Sequence, residues 1–299
     1  MSADREMRRQ PRVLAVLCAL AVALTMMPAT ATAAGASACQ REPRDAVAQL
    51  CADQNERMYG LFVTFIYPDV TYGGLAPTVG RADFYNETRF YTDDAMTKSF
   101  AIGLDMRYIG SETDFQPYWV DYTNGATYKP IGSYTMVSDK KNHTFMAIPT
   151  CSNCTTWDIY YDFAKVATTG AQPDPDSFHL ITGWDLTDIP GEVGLTATSN
   201  RVRFLDGNNQ FRQFKTTDTS TRVPQGNCAP GADPVYCWRW DTSTSANDNY
   251  LVSWNTTKPI VRPSGTPLAQ RDAAATADTE VDALVARAQQ LVNQRYAHR

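Results

Sequence analysis

Acids and aromatic rings alternate in two short runs, and these are the residues with chemistry to offer. In Tyr118–Tyr122 (YWVDY), Trp119 and Asp121 fall on one face of an extended chain. In Trp157–Phe163 (WDIYYDF), Asp158, Tyr160 and Asp162 fall on one face, while Trp157, Ile159, Tyr161 and Phe163 fall on the other. Rings stack on sugar faces, and carboxylates accept hydrogen bonds from hydroxyls or hold Ca²⁺. Trp119, Asp121, Asp158, Tyr160 and Asp162 are therefore the candidate ligand-binding residues. The face of Trp157 is expected in a core.

Two-acid hydrolysis is the competing chemistry, since such enzymes hold two carboxyls at a fixed separation. Asp158 and Asp162 lie about 13 Å apart along an extended strand, beyond that range. Glu is rare in the body of the chain: Glu56, Glu87, Glu112 and Glu192. Catalysis would need an acid on a neighbouring strand, such as Asp105 or Asp121. Glu87 with Asp105 or Asp162 is the alternative pair.

Other chemistries find little support. The histidines are His143, His179 and His298, no Gly-x-Ser-x-Gly elbow is present, and no His-Glu-x-x-His or phosphate-binding glycine loop occurs. Cys151-x-x-Cys154 reads as a structural disulfide across a turn, because the residues after it are strand-like. A redox motif would instead open a helix there, and a zinc site would need two more ligands, from Cys228 and Cys237.

The elements that must position these residues are strands. Ser99–Ile109 alternates Phe100, Ile102, Leu104, Met106 and Tyr108 with Ser99, Ala101, Gly103, Asp105 and Arg107. Further strands are expected at Leu61–Tyr67, Arg81–Tyr91, Gln116–Tyr122, Ile131–Val137, His143–Pro149, Thr155–Thr168, Phe178–Trp184, Val193–Thr198, Arg201–Leu205, Phe211–Phe214, Cys237–Trp240 and Tyr250–Trp254. Asn124-Gly125 and Asp206-Gly207 mark tight turns. The stretch 40–58 reads as a short helix, and residues 68–80 as a loop. From Ala273 onward, Val281, Leu284, Val285, Ala288, Leu291, Val292 and Tyr296 follow helical spacing, as in a terminal helix that docks on the body.

A formal charge of -5 and no basic block argue against a nucleic-acid partner. Arg5, Arg8, Arg9 and Arg12 precede an apolar run, Val13–Met27, and small residues follow. That is an export signal, with cleavage after Ala33 or Ala38 and no transmembrane segment left afterwards. Cys39, Cys51, Cys151, Cys154, Cys228 and Cys237 then remain, as suits an oxidising, extracellular compartment. Locality favours the pairs 39–51, 151–154 and 228–237, although sequence alone does not fix them. The expected organisation is a signal peptide (1–38), a disulfide-tethered segment (39–58), a β-sandwich (59–262), a linker (263–272) and an amphipathic helix (273–299).

The run HTFMAIP…TTWDIYYDF resembles the paired strands of concanavalin A-like lectin/glucanase sandwiches, and FHLITGWDLTDIPGEVGLTA resembles the continuation in secreted actinobacterial sandwich proteins. The resemblance covers about residues 59–257. It implies an all-β, two-sheet antiparallel jelly roll whose concave face binds glycan or peptide. The catalytic Glu pairs of the glucanase and glutamic-peptidase branches are not recognisable. The expectation is a secreted module that binds carbohydrate or cell-envelope polymer, with a hydrolase using a non-standard carboxylate pair as the alternative. No cofactor is expected, with Ca²⁺ the one ion that its acids could hold.

Overall fold

The computed structural model describes residues 47–68, 70–73, 81–109, 112–135, 138–185, 192–195, 198–214, 219–222, 237–242, 248–254 and 268–297. The stretch read as an export signal, Cys39, Cys228 and residues 263–267 of the expected linker lie outside them.

Alternating apolar side chains drive the chain into two stacked antiparallel sheets. Sheet A runs β15(Thr219–Arg222), β1(Val47–Met58), β11(Ser177–Asp185), β4(Arg81–Tyr91), β5(Ser99–Ile109), β6(Glu112–Asp121) and β7(Thr127–Pro130). Sheet B runs β10(Ala164–Thr168), β9(Trp157–Tyr161), β8(Asn142–Pro149), β2(Gly60–Ile66), β13(Thr198–Leu205), β17(Asp248–Trp254) and β16(Cys237–Thr242), with β14(Phe211–Arg212) beside β13. A small separate sheet pairs β12(Glu192–Leu195) with β3(Val70–Gly73). The expected sandwich is what the chain forms.

The core lies between the sheets. Phe90, Phe100 and Ile102 of sheet A meet Val63, Phe145, Trp157, Ile159 and Phe204 of sheet B. Trp157 is fully buried, with ring centroids 5.3 Å from Phe100 and 5.9 Å from Phe90. Its indole N–H donates to the Tyr59 carbonyl at 2.7 Å, so its one polar atom is satisfied. A polar layer also crosses the core: Asn86 and Asn200 exchange amide hydrogen bonds at 2.8 and 2.7 Å.

The one helix among the described residues, α1(Leu268–Tyr296), lies on the outer face of sheet B. Ala288 and Val292 bury against Phe62, Met146, Ile148 and Leu205. Gln289 ties it to the β13–β14 turn, donating to the Asn209 carbonyl at 2.7 Å and accepting from the Phe211 N–H at 2.9 Å. The helix expected from Ala273 thus begins earlier, at Leu268.

Four local expectations are corrected. Residues 47–58 are strand, not helix: β1 is paired on both sides, by β11 and β15, and that pairing overrides local helix propensity. Ile131–Thr135 is not a strand, and the rest of the expected strand, 136–137, lies outside the described residues. Gly132 takes a φ of 69°, only Thr135 bridges to Phe115, and the strand after the Asn124-Gly125 turn is β7. The presumed loop at 68–80 contains β3. The run through Thr168 breaks at Asp162 and Phe163, with φ of 44° and 67°, into the two strands of a tight hairpin.

The Cys151–Cys154 disulfide forms across the β8–β9 turn, as expected. Cys51 is buried and disulfide-bonded.

Candidate functional site

The five sequence-selected residues do not meet on one surface. Trp119 and Asp121 do share a face, but it is the inner one. Trp119 joins the core at the sandwich edge, with the Lys129 ammonium 4.2 Å from its ring. Asp121 is buried and organises loops, accepting from the Gly170 N–H at 2.9 Å, the Gln172 amide at 3.0 Å and the Asn124 amide at 3.0 Å.

Asp158 and Tyr160 point outward from sheet B, as their alternation requires, but α1 lies over them. Arg295 reaches Asp158 at 2.5 Å and also donates to the Tyr160 hydroxyl. Burial alone would raise the Asp158 pKa; hydrogen bonds from Lys165, Thr168 and Arg295 outweigh it and hold the carboxyl low. Asp162 leaves the strand for the hairpin turn. It accepts from the Thr144 N–H at 2.9 Å and faces His143 Nδ1 at 2.8 Å. Phe163, expected in the core, turns to the helix side, with the Arg287 guanidinium 4.1 Å from its ring.

The outer face of sheet A is different. Alternation along β4, β5 and β6 puts Glu87, Arg89, Asp105, Arg107, Gln116 and Tyr118 on that face, away from the core residues Phe90, Phe100 and Trp119. Glu87 stands between Gly183 and Gly103, which have no side chains to crowd it. Tyr118 pairs with Gly103 and stretches across it to donate to Glu87 Oε2 at 2.8 Å. Tyr122 donates to the same oxygen at 3.2 Å, and Arg89 holds Oε1 through Nη2 at 3.0 Å and Nε at 3.1 Å.

The pattern repeats one strand over. Asp105 Oδ2 accepts from Tyr128 at 3.1 Å and Tyr134 at 3.4 Å. Arg107 stacks 3.4 Å from the Tyr134 ring centroid and reaches Asp114 at 3.7 Å, much as Arg89 stacks 4.2 Å from that of Tyr122. Each unit is therefore an acid, an arginine two residues later, and a tyrosine that covers the arginine and bonds the acid. The rings of Tyr118 and Tyr128, stacked at 4.9 Å, join the two units. Buried Gln116 holds the loop that delivers Tyr134, donating to the Ile131 and Pro117 carbonyls, each at 2.9 Å.

The electrostatics are consistent across the face. Burial first, then the Glu87 carboxylate, pushes the Tyr118 hydroxyl well above the usual phenol range, and the same causes raise Tyr122. Burial and Asp105 raise Tyr128 and Tyr134. All four hydroxyls keep their protons and spend them on the two carboxylates.

No family model and no curated protein sequence matches the chain. Solved structures with a similar course include a scytalido-glutamic peptidase bound to a peptide-based transition-state analog, at 8% identity and TM-score 0.41, over 70% of this chain and 98% of that one. SCP-B, a member of the eqolisin peptidases, gives 9% identity and TM-score 0.38 over 71% of this chain and 99% of that one. A Bacillus licheniformis β-glucanase gives 14% identity and TM-score 0.28 over 46% of this chain and 64% of that one. No residue role passes from any of them to this chain.

Sequence reasoning named Glu87 and Asp105 only as alternative acids, and it missed Arg89, Arg107, Tyr118, Tyr122, Tyr128 and Tyr134. Glu87-x-Arg89 and Asp105-x-Arg107 were the available signal, since both recur at strand period two. Among the described residues, no group of three or more His, Cys, Asp and Glu is placed to hold a metal ion.

Proposed function

We propose that the outer face of sheet A binds a polyhydroxylated ligand, a carbohydrate or cell-envelope polymer, in an exported protein. Support for export comes from the Cys151–Cys154 disulfide and the basic–apolar N-terminus. No helix among the described residues is long and apolar enough to cross a membrane. The observation that carries binding is the doubled acid–arginine–tyrosine unit, in which Tyr128 is 37% exposed. Rings of this kind stack on the apolar faces of sugars while fixed oxygens meet the hydroxyls. The test is retention of the protein on wall polysaccharide and on a glycan array. Binding that Tyr128→Ala reduces about tenfold supports the proposal; unchanged binding in that variant rejects it.

Hydrolysis is the second reading, favoured by one observation. Glu87 pairs with Gly103 and Tyr85 pairs with Asp105, so the two acids are diagonal neighbours. Diagonal neighbours lie about 7–8 Å apart, within the separations that paired catalytic acids use. Against it, both oxygens of Glu87 are already occupied, by Arg89 on one and two tyrosines on the other, which suits a fixed charge better than a proton carrier. Release of reducing ends or peptides that disappears in Glu87→Gln would establish hydrolysis.

A further inference from the structure

We infer that this face is an acceptor surface selective for neutral, donor-rich polymers and closed to anionic ones. The inference rests on the binding reading above and adds the class of ligand. The hydroxyl donors of the face are consumed internally. Tyr118 and Tyr122 give their protons to Glu87, and Tyr128 and Tyr134 give theirs to Asp105. The guanidinium of Arg89 is held edge-on by Glu87 and covered by the Tyr122 ring. That of Arg107 faces Asp114 and is covered by the Tyr134 ring.

Each tyrosine oxygen that has donated its proton still carries lone pairs, and the carboxylate behind it makes it a stronger acceptor. Tyr122, Tyr128 and Tyr134, which are only partly covered, therefore ask for hydroxyl donors. A carboxylate, sulfate or phosphodiester on the ligand brings acceptors alone. It would meet Arg89 already held by Glu87 and Arg107 lying under the Tyr134 ring beside Asp114, with the carboxylate of Asp105 close by. Glu87 in particular offers little to a polycation, because its negative charge is already matched by Arg89 at 3.0 Å.

The test uses the full chain after signal removal, in affinity electrophoresis through a neutral β-glucan, a polygalacturonate and a chitosan. Runs at low and high salt (roughly 0.05 and 0.5 M) separate charge-driven from neutral binding. The expected result is retention by the neutral glucan that changes less than about twofold with salt, as fits contacts without net charge. Glu87→Gln, which uncovers the Arg89 charge, is expected to gain retention on polygalacturonate, and the unmodified protein's salt profile stands whether or not that variant folds. Retention by polygalacturonate or chitosan that salt abolishes, with none on the glucan, overturns the inference while leaving a ligand face in place. Failure to bind any of the three, together with a blank glycan array, overturns the binding reading and this inference with it.

Discussion

The hydroxyl of Tyr118 reaches Glu87 at 2.8 Å only because Gly103 lies between them. A Cβ at Gly103 would stand 2.5 Å from the Asn86 carbonyl oxygen and 3.1 Å from the Tyr118 hydroxyl. The glycine thus sets both the strand spacing and the geometry of the face.

Gly103→Ala is accordingly expected to cost about 1–3 kcal/mol, because the nearest clash is with backbone. It should weaken ligand binding as well. Denaturant midpoints and a parallel binding titration check both. An unchanged midpoint would mean that the strands relax without penalty.

Arg295 fastens the helix. It donates to the Pro149 carbonyl at 2.7 Å and meets Asp158, which is 5% exposed, at 2.5 Å. Arg295→Ala should cost about 1–3 kcal/mol in lost charge-assisted hydrogen bonds. It should also raise hydrogen exchange across the second half of the helix more than in β4 or β5. Since the Asp158 pKa is held low, the contribution of its contacts is present above the ordinary Asp range and is lost as pH falls through the lowered value. The stability difference between the parent protein and Arg295→Ala should therefore shrink in acid.

His143 titrates with the opposite sign. Burial disfavours its charged form, but Asp162 at 2.8 Å and Asp139 at 3.1 Å win, and the pKa is raised. Its contribution is full below the ordinary histidine pKa and is lost as pH rises through the raised folded value. Melting temperature measured against pH should fall across that window in the parent protein and less in His143→Gln. Parallel curves for the two would contradict the assignment.

The fold was legible where alternation is long and uninterrupted. Arg81–Tyr91 and Ser99–Ile109 end where the sequence places them; Ser99–Ile109 has one face of large apolar residues that can be buried only one way, and Arg81–Tyr91 pairs with it along its whole length. Legibility failed where tertiary context decides. Residues 47–58 have helical character, but they fill the gap between β11 and β15. The turn at Asp162-Phe163 lacks the usual asparagine and glycine; Asp162 is held there by Thr144 and His143, and Phe163 lies beneath Arg287.

For the site, alternation shows which residues share a face but not which face is covered. Asp158 and Tyr160 have the right types and spacing for ligand contact, and Arg295, more than a hundred residues later, sits on them. Glu87 and Asp105 become neighbours only through the β4–β5 register, which no single strand reveals.

Hydrogen exchange of the full chain, with and without saturating wall polysaccharide, tests the central claim most directly. Slowed exchange is expected in Arg81–Tyr91, Ser99–Ile109 and Glu112–Pro130, with Asn142–Pro149 and Trp157–Thr168 unchanged. Protection confined to the latter two segments would put the ligand on sheet B and contradict the account.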